Sequence, residues 1–123
     1  MADIGQINPT AMAPPGGHYS HAVTAGGMVF VSGQLPIAPD GSKLNDAPFE
    51  KQAQQVLDNV AAAIKGAGSS LDKLTQVRVY VTDINDWPAF NTLYAKWTGG
   101  AKPANFQSLF VGVTRHFNIF GIQ

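Results

Sequence analysis

The chain has no cysteine. Disulfides, thiol nucleophiles and thiolate metal sites are therefore excluded. It has one glutamate, Glu50, and no carboxylate side chain beyond Asp86. Everything that follows Asp86 must work without an acidic group, so paired-carboxylate chemistry is closed to that stretch. Neither charge is in excess: eight basic side chains stand against eight acidic ones. That leaves no electrostatic footprint for nucleic acid or an acidic membrane surface, and little self-repulsion against association. No apolar run approaches the ~20 residues a membrane span requires. The first residues lack a basic segment followed by an apolar core, so the expected location is the cytoplasm. The three histidines have no carboxylate cluster near them, and no glycine-rich phosphate loop or Ser–His–Asp order occurs. No metal and no cofactor are expected.

What is present suits one domain with a sizeable core: 123 residues, 45% of them hydrophobic. Residues 1–16, rich in Pro, Gly and Ala, read as an irregular arm, and 17–123 as the domain. His18 to Thr24 alternate as a short strand. Alternation sends His18 and His21 to opposite faces, so the two should not share a cleft. Met28-Val29-Phe30-Val31 is a continuous apolar run between glycines, which predicts a strand buried on both faces. Gly33 marks a bulge or a close approach to a ligand. Leu35 to Ile37 continue the sheet, and Pro39-Asp40-Gly41 make a turn.

Phe49, Ala53, Val56, Leu57, Val60 and Ile64 recur at helical spacing. They predict an amphipathic helix with Asp46 as its cap, Pro48 in its first turn and Gly66 at its end. Thr75 to Thr82 alternate cleanly, with Val77, Val79 and Val81 on one face. Trp87, Phe90, Tyr94 and Trp97 mark the buried side of a second helix, which Gly99-Gly100 terminate. Two strands follow. In the first, Asn105, Gln107, Leu109 and Val111 share a face, opposite Phe106, Ser108 and Phe110. In the second, Phe117, Ile119 and Gly121 alternate with Asn118, Phe120 and Ile122. This order predicts an α+β domain, two helices packed on one face of a mixed β-sheet. The other face is left for a subunit partner to cover.

Several stretches together resemble the reactive-intermediate deaminase family, the RidA/YjgF or L-PSP proteins. They are Gly17-His18-Tyr19-Ser20-His21-Ala22, Met28 to Gln34 (MVFVSGQ), Ala67 to Asp72 (AGSSLD), Val79 to Asp83 (VYVTD), Asn91 to Trp97 (NTLYAKW) and Lys102-Pro103-Ala104. The resemblance runs from Gly17 to Ile122, in order. It implies a chorismate-mutase-like fold and a homotrimer with three small-molecule clefts at subunit interfaces. It also implies a mechanism, in which an arginine directly after Pro-Ala grips the substrate carboxylate. A backbone carbonyl and a late glutamate then position a water for attack on an imine or enamine intermediate.

This chain departs from that pattern at the anchor. Asn105 stands at the arginine position, Gln107 two residues on, and Phe120 where the glutamate would be. Asn105 offers an amide and no charge, so it cannot neutralise a carboxylate. The substrate-binding residues that the resemblance carries over are Tyr19, Gly33, Asn91, Asn105, Gln107 and Phe120. Asn91 serves equally as a capping or helix–sheet residue, and Phe120 as packing. Two readings follow. One is an imine or enamine hydrolase whose range has moved toward less charged or more aromatic ligands. The other is a non-catalytic trimer that binds a small metabolite or acts as a scaffold. Arg78, Lys102 or Arg115 of a neighbouring subunit are candidates to replace the lost cation. No nucleic acid and no membrane is expected as a partner.

Overall fold

The computed structural model describes residues 3–100, 102, 104–109 and 118–122, the last two segments by backbone and register. Expectations resting on Phe110, Val111, Arg115 and Phe117 lie outside the described residues. Six strands form one sheet: β1 (Gly5–Ile7), β2 (Ala22–Ala25), β3 (Met28–Gln34), β4 (Gln76–Val81), β5 (Ala104–Leu109) and β6 (Asn118–Ile122). Their spatial order is β1-β2-β3-β6-β4-β5. Every neighbouring pair is antiparallel except β4 and β5, which run parallel. A parallel pair needs a crossover, and the second helix, α2 (Trp87–Thr98), supplies it. The sheet is mixed and the domain α+β, as the pattern of elements predicts.

The longer helix, α1 (Phe49–Gly66), buries its apolar stripe completely: Ala53, Val56, Leu57, Val60 and Ala63 have no exposed surface. Its partners are the alternate valines of the sheet, Val29 and Val31 of β3 and Val77, Val79 and Val81 of β4, together with Phe90 and Tyr94 of α2. Asp46 does not cap the helix. Pro48 occupies that position, and its carbonyl accepts from the Lys51 and Gln52 N–H groups at 3.1 Å. The buried Gln52 amide then donates back to the Asn45 and Ala47 carbonyls, at 3.2 and 2.8 Å, and fixes the entry loop.

The helix ends at Gly66, as expected, but Gly66 itself is not the stop. The stop is a paired hydrogen-bond motif built on Gly68, whose φ of +84° only glycine adopts readily. Ser69 N–H donates to the Ile64 carbonyl and Gly68 N–H to that of Lys65, both at 3.0 Å. Gly66 is small for another reason. A Cβ there would meet Pro9 of the arm, which packs across the end of α1.

Four further expectations change. The arm is not wholly irregular, because Gly5 to Ile7 pair with Thr24 to Ala22 as an edge strand. β2 starts at Ala22 and not at His18. The run Met28 to Val31 is buried on one face alone: Met28 and Phe30 are 41% and 40% exposed, while Val29 and Val31 are buried. Leu35 to Ile37 leave the sheet, with Ile37 making one isolated bridge to Lys43. Gly33 does sit in a bulge: between Val31 and Gln34 the pairing with β6 slips by one residue.

Candidate functional site

The bulge turns the Ser32-Gly33-Gln34 backbone toward the arm, and a small polar chamber forms between them. Its walls come from three places: Met12 to Gly16 of the arm with Tyr19 and His21, Gly33 to Ile37 after the bulge, and Asn59 of α1. Its volume is about 40 Å³. That holds water molecules and not a metabolite.

Buried amides and a buried histidine hold the chamber in shape. His21 is 7% exposed. Its Nε2 lies 2.7 Å from the Ala13 carbonyl and its Nδ1 3.3 Å from the Gln34 Nε2. A carbonyl can only accept and an amide NH₂ can only donate. The proton therefore sits on Nε2, and Nδ1 accepts. Gln34 Nε2 also donates to the Ser32 carbonyl at 3.2 Å, which fixes the amide's orientation. Asn59 Nδ2 donates to the Leu35 and Ile37 carbonyls at 3.0 and 2.9 Å, and its Oδ1 accepts from Gln55 at 2.9 Å. The loop after the bulge is thus tied to α1. The Asn8 carboxamide accepts from the His21 backbone N–H at 2.9 Å, which ties the segment just after β1 to the same place.

Tyr19 is the outer wall. Its ring stands edge-on to His21 with centroids 6.1 Å apart, and it is 49% exposed. The same residue lines an open groove of about 530 Å³ with His18, Ser20, Ser32, Gln6 of β1 and Asn8 just after it. Neither the chamber nor the groove has a charged residue among its described walls. His18 lines the groove and His21 the chamber, so the two histidines are apart, though no strand alternation separates them: the strand begins after both.

The Endoribonuclease L-PSP family model matches residues 10–116. The chain belongs to the endoribonuclease L-PSP (RidA/YjgF) family. A RutC family protein of Pyrococcus horikoshii is 41% identical over 96 residues, covering 77% of this chain and 76% of its own. The mitochondrial protein MMF1 of Saccharomyces cerevisiae is 40% identical over 96 residues, covering 77% of this chain and 66% of its own. Among solved structures, a Rid family protein of Yersinia pestis matches with a TM-score of 0.90 at 30% identity, with 98% of each chain covered. Escherichia coli TdcF with bound serine matches with a TM-score of 0.86 at 27% identity, with 96% of each covered.

Against this RidA/YjgF frame, the structure brings Tyr19 and Gly33 together in the chamber wall. Asn91 is exposed on α2 and lines neither the chamber nor the groove. Asn105 and Gln107 stand in register with Val77 and Val79, and Phe120 with Arg78. They thus occupy alternate rows of the ladder, and their side chains lie outside the described residues. Of the candidate replacement cations, Arg78 lies on the sheet face that carries Met28 and Phe30 and is exposed, as is Lys102. Arg115 lies outside the described residues.

Sequence reasoning missed the trio His21, Gln34 and Asn59. Asn59 sits in the apolar stripe of α1 at the spacing of Val56 and Val60, and a polar residue inside such a stripe was the available signal. Among the described residues no helix is long and apolar enough to cross a membrane, and no three His, Asp or Glu side chains cluster to hold a metal.

Proposed function

We propose that the protein is a homotrimer that binds a small metabolite in clefts between subunits, and that it hydrolyses imines or enamines from a range shifted away from small, strongly carboxylate-anchored substrates. The observation that carries this reading is the chemical character of the wall at Tyr19. Its described residues are aromatic, amide, hydroxyl and aliphatic, with no cation and no carboxylate. Asn105 stands where the family resemblance places the anchoring arginine, so the sequence supplies no charge there either. A ligand held by such walls is recognised by hydrogen bonds and apolar area, with little contribution from charge. TdcF, solved with bound serine, supports an amino-acid-sized ligand. The chamber is too small for one, which supports completion of the cleft by a neighbouring subunit. The family description names an endoribonuclease. Zero net charge and uncharged groove walls give a phosphate backbone nothing to bind, which disfavours RNA as the substrate.

The reaction consumes water. Water adds to the imine carbon, the nitrogen takes up a proton, and the resulting carbinolamine expels ammonia to leave a carbonyl compound. The test generates imino acids in situ with an amino-acid oxidase and traps surviving imine with semicarbazide. The panel carries small, aliphatic and aromatic side chains. Purified protein is expected to lower the trapped product, most for the aromatic members and least for the small ones. Unchanged trapping across the panel overturns the hydrolase and leaves the second reading, a binding trimer without turnover. That reading is favoured by the absence of any carboxylate among the described walls, and it predicts saturable ligand binding in the same protein.

A further inference from the structure

The chamber beneath Tyr19 has an electronic character that its shape alone does not reveal. Each side-chain N–H along its walls is already committed to a protein acceptor. The Asn59 amide gives both hydrogens to the Leu35 and Ile37 carbonyls. The Gln34 amide gives both to His21 and to the Ser32 carbonyl. His21 Nε2 gives its one to the Ala13 carbonyl. What these three buried side chains have left to offer the chamber is acceptor capacity. Gln34 is 3% exposed, and its Oε1 accepts no hydrogen bond among the described residues. The Ala13 carbonyl, which accepts only from His21, keeps a second lone pair.

We propose that this chamber is a built water site, and that Gln34 Oε1 positions the hydrolytic water in the role for which this chain has no late carboxylate. The proposal rests on the imine-hydrolase reading above. About 40 Å³ accommodates one or a few waters, and the polar partners are in place. A water held only by acceptors gives up its hydrogens and keeps its oxygen lone pairs free. That is the orientation a nucleophile needs. Tyr19 lines both the chamber and the open groove, so the held water lies next to the ligand space. The water oxygen forms the new bond to the imine carbon, and the C=N π pair moves to nitrogen. A proton passes from the water to the nitrogen through solvent, and collapse releases ammonia. Gln34 takes no proton. It is a positioning residue.

The test pairs crystallography with kinetics on the full chain. At about 1.5 Å resolution, the wild-type protein is expected to show water within hydrogen-bond distance of Gln34 Oε1. Gln34→Leu is expected to lose that water and to lower kcat at least tenfold with KM nearly unchanged. Gln34→Glu restores an acceptor and is expected to recover part of kcat. His21→Gln leaves the Gln34 bond to Ser32 available and is expected to keep the water. Wild-type density with no water at Gln34 overturns the inference whatever the activity, and it does so even if Gln34→Leu fails to fold. Unchanged kcat in a folded Gln34→Leu protein overturns the positioning role. An occupied chamber in a protein inactive on every imine overturns the hydrolase reading and leaves the water site standing.

Discussion

The Tyr94 hydroxyl and the Trp97 indole N–H are both buried, and neither group has a hydrogen-bond partner among the described residues. Burial pushes the Tyr94 phenol from its ordinary 10.0 up to about 12. A raised phenol pKa means that the folded state holds its proton longer than the unfolded chain does. The resulting stability is fully present below pH 10 and is lost as pH rises through about 12. Tyr94→Phe removes an unpaired buried hydroxyl and keeps the ring stack with Phe90, whose centroid is 5.5 Å away. It is expected to stabilise the protein by about 1 kcal/mol at neutral pH and to flatten the loss of stability above pH 10, read by denaturant titration at several pH values. At the ligand, Asn105→Arg is expected to raise kcat/KM for small imino acids about 30-fold or more, the equivalent of roughly 2 kcal/mol for a charge-assisted pair. The semicarbazide assay reads this directly. Of the six binding residues expected from the family resemblance, Tyr19 and Gly33 meet in one wall and Asn91 does not join them. His21 was legible only as a strand residue. Its burial depends on Ala13 and Gln34, which lie on separate segments, and no local pattern signals a contact of that kind.

The elements that read most clearly in the sequence are those whose pattern is dictated by the core. The α1 stripe and the β4 valines are regular because each position meets the same apolar layer. Leu57, with no exposed surface, is expected to cost roughly 2–5 kcal/mol when truncated to alanine, measured by chemical denaturation. What did not read is set by neighbours across the fold. Gly5-Gln6-Ile7 has no strand-like run, and it pairs because β2 presents an open edge to it. The end of α1 falls at Gly66 as its pattern predicts, but not for the expected reason: Gly66 is a packing glycine and Gly68 the conformational one. This gives a test: Gly66→Ala, which raises helix propensity by about 1 kcal/mol in an exposed helix, is expected to yield no such gain here. The added methyl pushes Pro9 away, and amide exchange in β1 should accelerate. A gain of the full propensity value with unchanged exchange would show that the arm does not rest on the helix.

Over the whole molecule, one sheet face is packed by both helices, and among the described residues the other carries Val23, Met28, Phe30, Arg78 and Tyr80. The apolar run of β3 was expected to be buried on both sides. The single chain buries one side and leaves Phe30 40% exposed. The proposed assembly would cover the second face, and the same assembly would complete a cleft against Tyr19. Phe30→Glu puts a charge on that face and is expected to break the assembly while leaving α1 and its core intact, since Phe30 contributes nothing to the helix side. In the sequence, the expectation of a covered second face comes from the element pattern, and the expectation of a trimer only from the family resemblance, because a symmetric interface leaves no periodic mark beyond a strand more apolar than its fold requires. Native mass spectrometry of the wild-type protein tests the central claim most directly. A single species at three times the 13.0 kDa chain mass is the result predicted, with Phe30→Glu shifted toward the monomer. A wild-type protein that stays at 13.0 kDa at micromolar concentration would contradict it, because the groove at Tyr19 would then have no second wall.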